Sequence, residues 1–192
     1  MVAFLTAEPV HGQARWLQHV EMLATVDDGE PTRVLLDSIR VQAERGRVEV
    51  RREPDTPALS YGGLISELNR EGLDILSANR VFIRYRLEAD PRGFRSSILG
   101  LHFIYRPEGY DDVDYPIAYV DMQQPEMRRM IEHGGTRTRE NEAVIEPFSD
   151  QIAFAALEDA IVVSVGGEVI RDTDEGRRER ERLIATIRQL VY

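Results

Sequence analysis

The stretch "RVFIRYRLEADPRGFRSSILGLHFIYRPEG" runs from Arg80 to Gly109. In its first half Val81, Ile83, Tyr85 and Leu87 fall on one parity, and Phe82, Arg84 and Arg86 on the other. Successive side chains of a strand point to opposite faces, so this alternation predicts a strand with one apolar face and one wet face. The residues Ala89-Asp90-Pro91-Arg92-Gly93 have the chemistry of a tight turn, after which "FRSSILGLHFIY" returns antiparallel. The interior of this hairpin is expected to take Ile83, Tyr85, Phe94, Leu99 and Phe103, while Arg84 and Arg86 face water.

Working outward, an acidic loop from Asp111 leads into "YPIAYVDM" (Tyr115–Met122), a further strand. Upstream, "RVEVRRE" alternates Val48 and Val50 with charged neighbours and reads as a strand. "GLISELNREGLDIL" (Gly63–Leu76) reads as a hairpin around a polar Asn69-Arg70-Glu71-Gly72 turn, and the glycine pairs Gly62-Gly63 and Gly166-Gly167 as tight turns between strands. Pro31 to Gly46 carries Val34, Leu35, Ile39 and Ala43 on one helical side, with Asp28 placed to cap it. His11 to Ala24 carries Trp16, Leu17, Val20, Leu23 and Ala24 at a spacing that also reads as a helix. After Glu140 come a short helix, a hairpin across Gly166-Gly167 and a terminal helix with Leu183, Ile184, Ile187, Leu190 and Val191 on one face, capped by Thr173 or Asp174.

The predicted fold class is therefore α+β: a small antiparallel β-barrel, split-barrel-like, with N-terminal helices and a C-terminal amphipathic helix. Three segments are expected. Residues 1–30 form an N-terminal helical segment, 31–127 the β domain, and 128–192 an arginine-rich junction with a small α/β appendage.

Composition narrows the chemistry. The 192 residues hold 42% hydrophobic and 30% charged side chains, ordinary for a globular chain. No apolar run approaches the roughly 18 residues of a membrane span, and the start lacks a basic region followed by a long apolar one. A cytoplasmic protein with no membrane partner is expected. The formal charge of −10 argues against a nucleic-acid binder. All 24 basic residues are arginine, so no Schiff-base or P-loop lysine exists, and the lack of cysteine removes thiolate chemistry.

The four histidines (His11, His19, His102, His133) show no metal-ligand spacing and read as surface or packed side chains. There is no Gly-x-Ser-x-Gly elbow and no dinucleotide fingerprint, and "DDVD" (Asp111–Asp114) reads as a solvated acidic loop. Neither a metal, a cofactor nor a catalytic residue is expected, and the chain is read as non-enzymatic. The candidate ligand site is instead the cluster Arg128, Arg129, Arg137 and Arg139 around Gly134-Gly135. Arginine's planar fork matches phosphate, and glycines at positive φ could turn backbone N–H groups toward an anion. The other reading of "PEMRRMIEHGG" is a helix with exposed charges, ended by its glycines.

In order, "RVLLDSIRVQAERGRVEV", "GGLISELNREGLDIL", "VFIRYRLEADPRGFRSSILGLHF" and "YPIAYVDMQQPEMRRM" resemble the N-terminal domain of flagellar-brake proteins. In those cyclic di-GMP receptors a small split barrel precedes a PilZ domain. The likeness covers about Pro31 to Arg139. It implies a regulatory, protein-interaction role linked to cyclic di-GMP signalling and motility. The family grips the nucleotide with Arg-x-x-x-Arg, whereas "RRMIEHGGTRTR" lacks that spacing, so nucleotide binding is not the favoured expectation. The alternative is a structural or assembly protein of a bacterial or phage particle. In either case a protein partner or self-association is expected, with Leu183, Ile184, Ile187, Leu190 and Val191 as oligomer contacts.

Overall fold

The computed structural model describes residues 16–90, 93–110, 113–137 and 145–191. In chain order its first elements are β1 (Trp16–Thr25), α1 (Pro31–Glu44), α2 (Tyr61–Arg70), β2 (Arg80–Asp90), β3 (Gly93–Tyr105) and β4 (Tyr115–Asp121). There follow α3 (Pro125–His133), β5 (Gly135–Arg137), β6 (Ile145–Pro147), α4 (Phe148–Gln151), β7 (Ile161–Val165), β8 (Glu168–Val169) and α5 (Thr173–Val191). Six strands make one antiparallel sheet in the order β4-β3-β2-β1-β7-β8, curled into a half-barrel, while β5 and β6 form a separate ribbon. The fold is α+β and barrel-like, as expected. One sheet draws strands from all three expected segments, since β1 lies between β2 and β7.

The hairpin that opened the sequence reading is the centre of this sheet. Val81, Ile83, Tyr85 and Leu87 are all buried, and Arg84 and Arg86 are exposed. Phe103 is buried as expected, whereas Phe94 and Leu99 are only half-buried. The core side of the sheet packs against Leu35, Leu36 and Ile39 of α1, Leu64 and Leu68 of α2, and Leu183 of α5. Three β-bulges bend the sheet. Arg84 pairs with Gly100 but Tyr85 with Ile98, which leaves Leu99 as an extra residue. Likewise Val163 is extra opposite β1, and Ile117 is extra opposite β3. A bulge adds local twist to its strand, and three of them account for the curl.

Several expectations are corrected. Trp16–Thr25 is a strand, not part of a helix. As an interior strand it is covered on both faces near its end, so Met22, Leu23 and Ala24 are all buried and imitate a helical stripe. Gly63–Leu76 is not a hairpin. Its first half belongs to α2, where the Ser60 side chain accepts the Gly63 N–H at 3.2 Å and Leu64 and Leu68 bury one face; Gly62-Gly63 are thus helical. Val48 and Val50 are buried, but "RVEVRRE" makes only isolated bridges. Arg51 and Tyr119 exchange backbone hydrogen bonds at 3.0 and 2.7 Å, so this segment covers the outer edge of β4.

The caps also move. Glu30, not Asp28, is the N-cap of α1, and Asp28 accepts from Arg33 instead. Thr32 donates to the Thr25 carbonyl at 2.8 Å and ties this helix to the end of β1. The cap of α5 is Asp172, which accepts the Glu175 N–H at 2.8 Å, rather than Thr173 or Asp174. The turn at Gly166-Gly167 does form, with φ of +60° and +91°, values that suit glycine in a two-residue hairpin loop.

Because Ile83 is wholly buried, Ile83→Ala is expected to cost about 2–5 kcal/mol, read from the urea unfolding midpoint. An unchanged midpoint would mean that this parity of β2 does not face the core.

Candidate functional site

The face of the sheet turned away from α1 carries two cross-strand rows. Ser164, Glu21, Arg84, Gly100 and Asp121 are successive partners on β7, β1, β2, β3 and β4. Beside them run Ile161, Leu23, Phe82, His102 and Tyr119. Directly opposed side chains of an antiparallel pair lie about 5 Å apart, so each row acts as a unit. One is polar and the other apolar or aromatic.

Gly100 lets the rows interlock. A Cβ at this position would lie 2.7 Å from the Tyr119 hydroxyl oxygen, so only glycine leaves room for the ring to lean across β3. The leaning ring brings the hydroxyl beside Arg84. Burial and the Asp121 carboxylate raise the Tyr119 pKa, countered by Arg84 and Arg51. On the other side of Arg84, burial raises the Glu21 pKa, and the arginine opposes it. Arg84 thus stands between a carboxylate that has lost much of its water and a covered phenol.

His102 is the other unusual group. Its ring lies 6.1 Å from Phe82 and edge-on to Tyr119 at 6.2 Å, and its Nε2 is buried with no partner among the described residues. Burial lowers its pKa; Glu53, a hydrogen bond to the Arg52 backbone and Asp114 act in the opposite sense.

Open grooves lie along this face. One of about 570 Å³ runs between Arg84, Tyr119 and Asp121 on the sheet and Arg128 on α3. A second, about 530 Å³, lies between Glu21, Arg84 and the Gly166-Gly167 turn. Arg84 and Leu99 belong to both.

The arginines singled out from sequence are distributed differently. Arg128 faces the larger groove. Arg129, about 100° further round the helix, sits 3.7 Å from Glu126 and is exposed. Arg137 is exposed on β5, and Arg139 lies outside the described residues. Gly134 and Gly135 are not at positive φ, and Gly134 is the C-cap of α3. Glycine is needed there for packing instead: a Cβ on Gly135 would meet the Glu146 carbonyl oxygen at 1.8 Å.

Of the α5 stripe, Leu183 is buried in this chain's own core and Ile184 and Ile187 pack against it, while Leu190 is 45% exposed. The Val191 side chain lies outside the described residues. Asp114 of the acidic loop is held by Arg106 through two bonds of 2.7 and 2.8 Å. His19 is exposed, His133 ends α3, and His11 lies outside the described residues. Among the described residues no three His, Cys, Asp or Glu side chains gather as metal ligands.

Sequence reading placed Arg84 in water but did not make it a site residue. The missing signal was register. Glu21 and Asp121 become its neighbours only once β1 is a strand and β3 contains its bulge.

The His102 environment sets a pH dependence. Its folded pKa lies below the unfolded value of 6.5, so as pH falls through that value the unfolded chain takes up the proton first and the fold loses stability. Lowering pH from about 7.5 to about 5.5 should reduce the urea midpoint, and His102→Gln should flatten that drop. An equal drop in the variant would show that the ring titrates as a free histidine. No protein-family model matches the chain, and no curated protein matches it, so the functional reading rests on this face.

Proposed function

We propose that the chain is a non-catalytic regulatory or protein-interaction module whose working surface is the polar strip on the face of the half-barrel sheet opposite Tyr85. The observation that carries this reading is the polar row Ser164–Glu21–Arg84–Gly100–Asp121, laid across five strands and bordered by open grooves. Covering polar groups with a partner costs free energy in proportion to the water they lose. Here Glu21 and His102 are already half-buried in the free chain. A partner laid on this face therefore removes less water than it would from an ordinary wet sheet.

The resemblance to the N-terminal domain of flagellar-brake proteins supports the same reading and extends it to cyclic di-GMP signalling and motility. In this proposal residues 128–139 serve as a junction and not as the nucleotide site. Supporting that, Arg129 lies 3.7 Å from Glu126, and Gly135 packs closely against β6. A second reading, an assembly protein of a bacterial or phage particle, draws on Leu190 and on Val169 of the outermost strand, which is 72% exposed. Both are apolar side chains that self-association could cover.

Sedimentation of the purified chain separates the two. The module is expected to run as a monomer or dimer, and a large closed ring would establish the assembly reading. Calorimetric titration with cyclic di-GMP is expected to give no saturable heat. Micromolar binding abolished by Arg128→Ala with Arg137→Ala would instead make the junction a nucleotide site.

A further inference from the structure

Where β1 passes into α1, a groove of about 350 Å³ opens against the segment that follows α4. The carboxylates of Asp27, Glu30, Glu158 and Asp159 line it, and no arginine or histidine does. None of the four makes an ion pair within 4.0 Å among the described residues. Arg180 donates to the Ala155 and Glu158 carbonyls but pairs with no carboxylate. The N-terminus of α1 also faces the groove, yet it offers few donors to an anion. Pro31 has no N–H, and those of Arg33 and Val34 bond to the Glu30 carbonyl at 3.1 and 3.2 Å.

In a chain with 34 acidic and 24 basic residues, free carboxylates alone would mean little. Gln151 sets this groove apart. It lines the groove with only 8% of its surface exposed, and its Oε1 is buried with no hydrogen-bond partner. Both amide hydrogens are spent: Nε2 donates to the Thr136 hydroxyl and to the Glu146 carbonyl, the latter at 3.1 Å. Turning the amide round would set two oxygens together at Glu146, so the unpaired group is an acceptor. Leaving such an acceptor buried and unpaired is costly, which points to a donor from outside. Thr32, also buried, gives its hydroxyl hydrogen to the Thr25 carbonyl at 2.8 Å and keeps only acceptor capacity for the groove. The ligand must therefore be cationic and rich in donors. A metal ion does not fit, because among the described residues no three carboxylate or histidine side chains gather around one point. Negative charge spread along a groove suits several cationic centres joined by a flexible chain.

We propose that this groove binds a linear aliphatic polyamine. One ammonium group, which has three donors and no acceptor, bonds to Gln151 Oε1. The others lie among the four carboxylates, and the methylenes between them cover Ala156 and Leu157. The volume is near the lower end of the roughly 300–1,000 Å³ of small-molecule sites, as a thin ligand requires. This site is separate from the polar strip of the sheet and does not rest on the interaction reading.

The test is titration of the full chain with spermidine, followed by calorimetry and by the NMR resonances of the Gln151 side-chain amide. Saturable binding at about a hundred micromolar is expected in low salt, the strength of a few exposed charge pairs, and it should fade at high salt. The Gln151 amide should shift on binding, and the dispersion of the same spectrum reports whether each variant is folded. Glu30→Gln with Asp159→Asn should weaken binding about tenfold; the Glu30 side chain makes no cap bond, so α1 should survive the change. Glu108→Gln with Glu181→Gln removes the same charge elsewhere on the surface and should leave binding unchanged. Lack of saturable binding, or an unmoved Gln151 amide, overturns the proposal and leaves Oε1 to a buried water. Equal loss in the control pair overturns it as attraction to the net charge alone. Displacement of spermidine by submillimolar magnesium overturns it in favour of a metal site. A Gly-Lys-Gly peptide that binds as tightly as spermidine overturns it in favour of a partner's lysine side chain.

Discussion

The Tyr85 hydroxyl donates to the Ile152 carbonyl at 2.7 Å from a fully buried position in the middle of the sheet. Much of the architecture depends on this bond. Ile152 opens a stretch up to Ala160 with no helix or strand, which has few ways to satisfy its own carbonyls. Tyr85 fixes one end of it, and Phe154 packs edge-on against the Tyr85 ring at 5.6 Å. Arg180 of α5 donates to the carbonyls of Ala155 and Glu158 at 3.3 and 3.1 Å. Held this way, the segment delivers β7 to the free edge of β1. Burial drives the Tyr85 phenol pKa far above its ordinary range, so at physiological pH it stays a proton donor.

One-sidedness follows from that anchoring. The helices and the Ile152–Ala160 segment occupy the face that holds Tyr85; on the opposite parity Leu23 and Tyr119 are buried while Arg84 is exposed. Their arrangement is set by backbone register. The bulges at Leu99 and Val163 flank the Glu21–Arg84 pair and turn the sheet around it, and Gly100 gives Tyr119 the space to lean in. Backbone register and the space at Gly100 therefore set where the charged groups of this face stand relative to one another.

How much of this was legible in the sequence differs by level. The β2–β3 hairpin could be read because its alternation is local and its turn chemistry explicit. Helix α1 was equally clear, since Leu35, Ile39 and Ala43 recur at helical spacing. Residues 16–25 were misread because a strand buried on both faces loses its alternation, and Gly62-Gly63 suggested a turn that the Ser60 cap converts into a helix start. The candidate face was the least legible part. Glu21, Arg84 and Asp121 are separated by 63 and 37 positions, respectively, and only pairing across four strands brings them together. No local pattern encodes that.

The most direct test of this account is Tyr85→Phe, followed by urea unfolding and hydrogen exchange. Removing the hydroxyl leaves the Ile152 carbonyl without its donor while keeping the ring in place, which should cost about 1–3 kcal/mol. Exchange should accelerate in residues 152–165, with the β2–β3 hairpin still protected. If the midpoint and the protection of residues 152–165 both stay at wild-type values, this bond is not what fastens the C-terminal segment to the sheet.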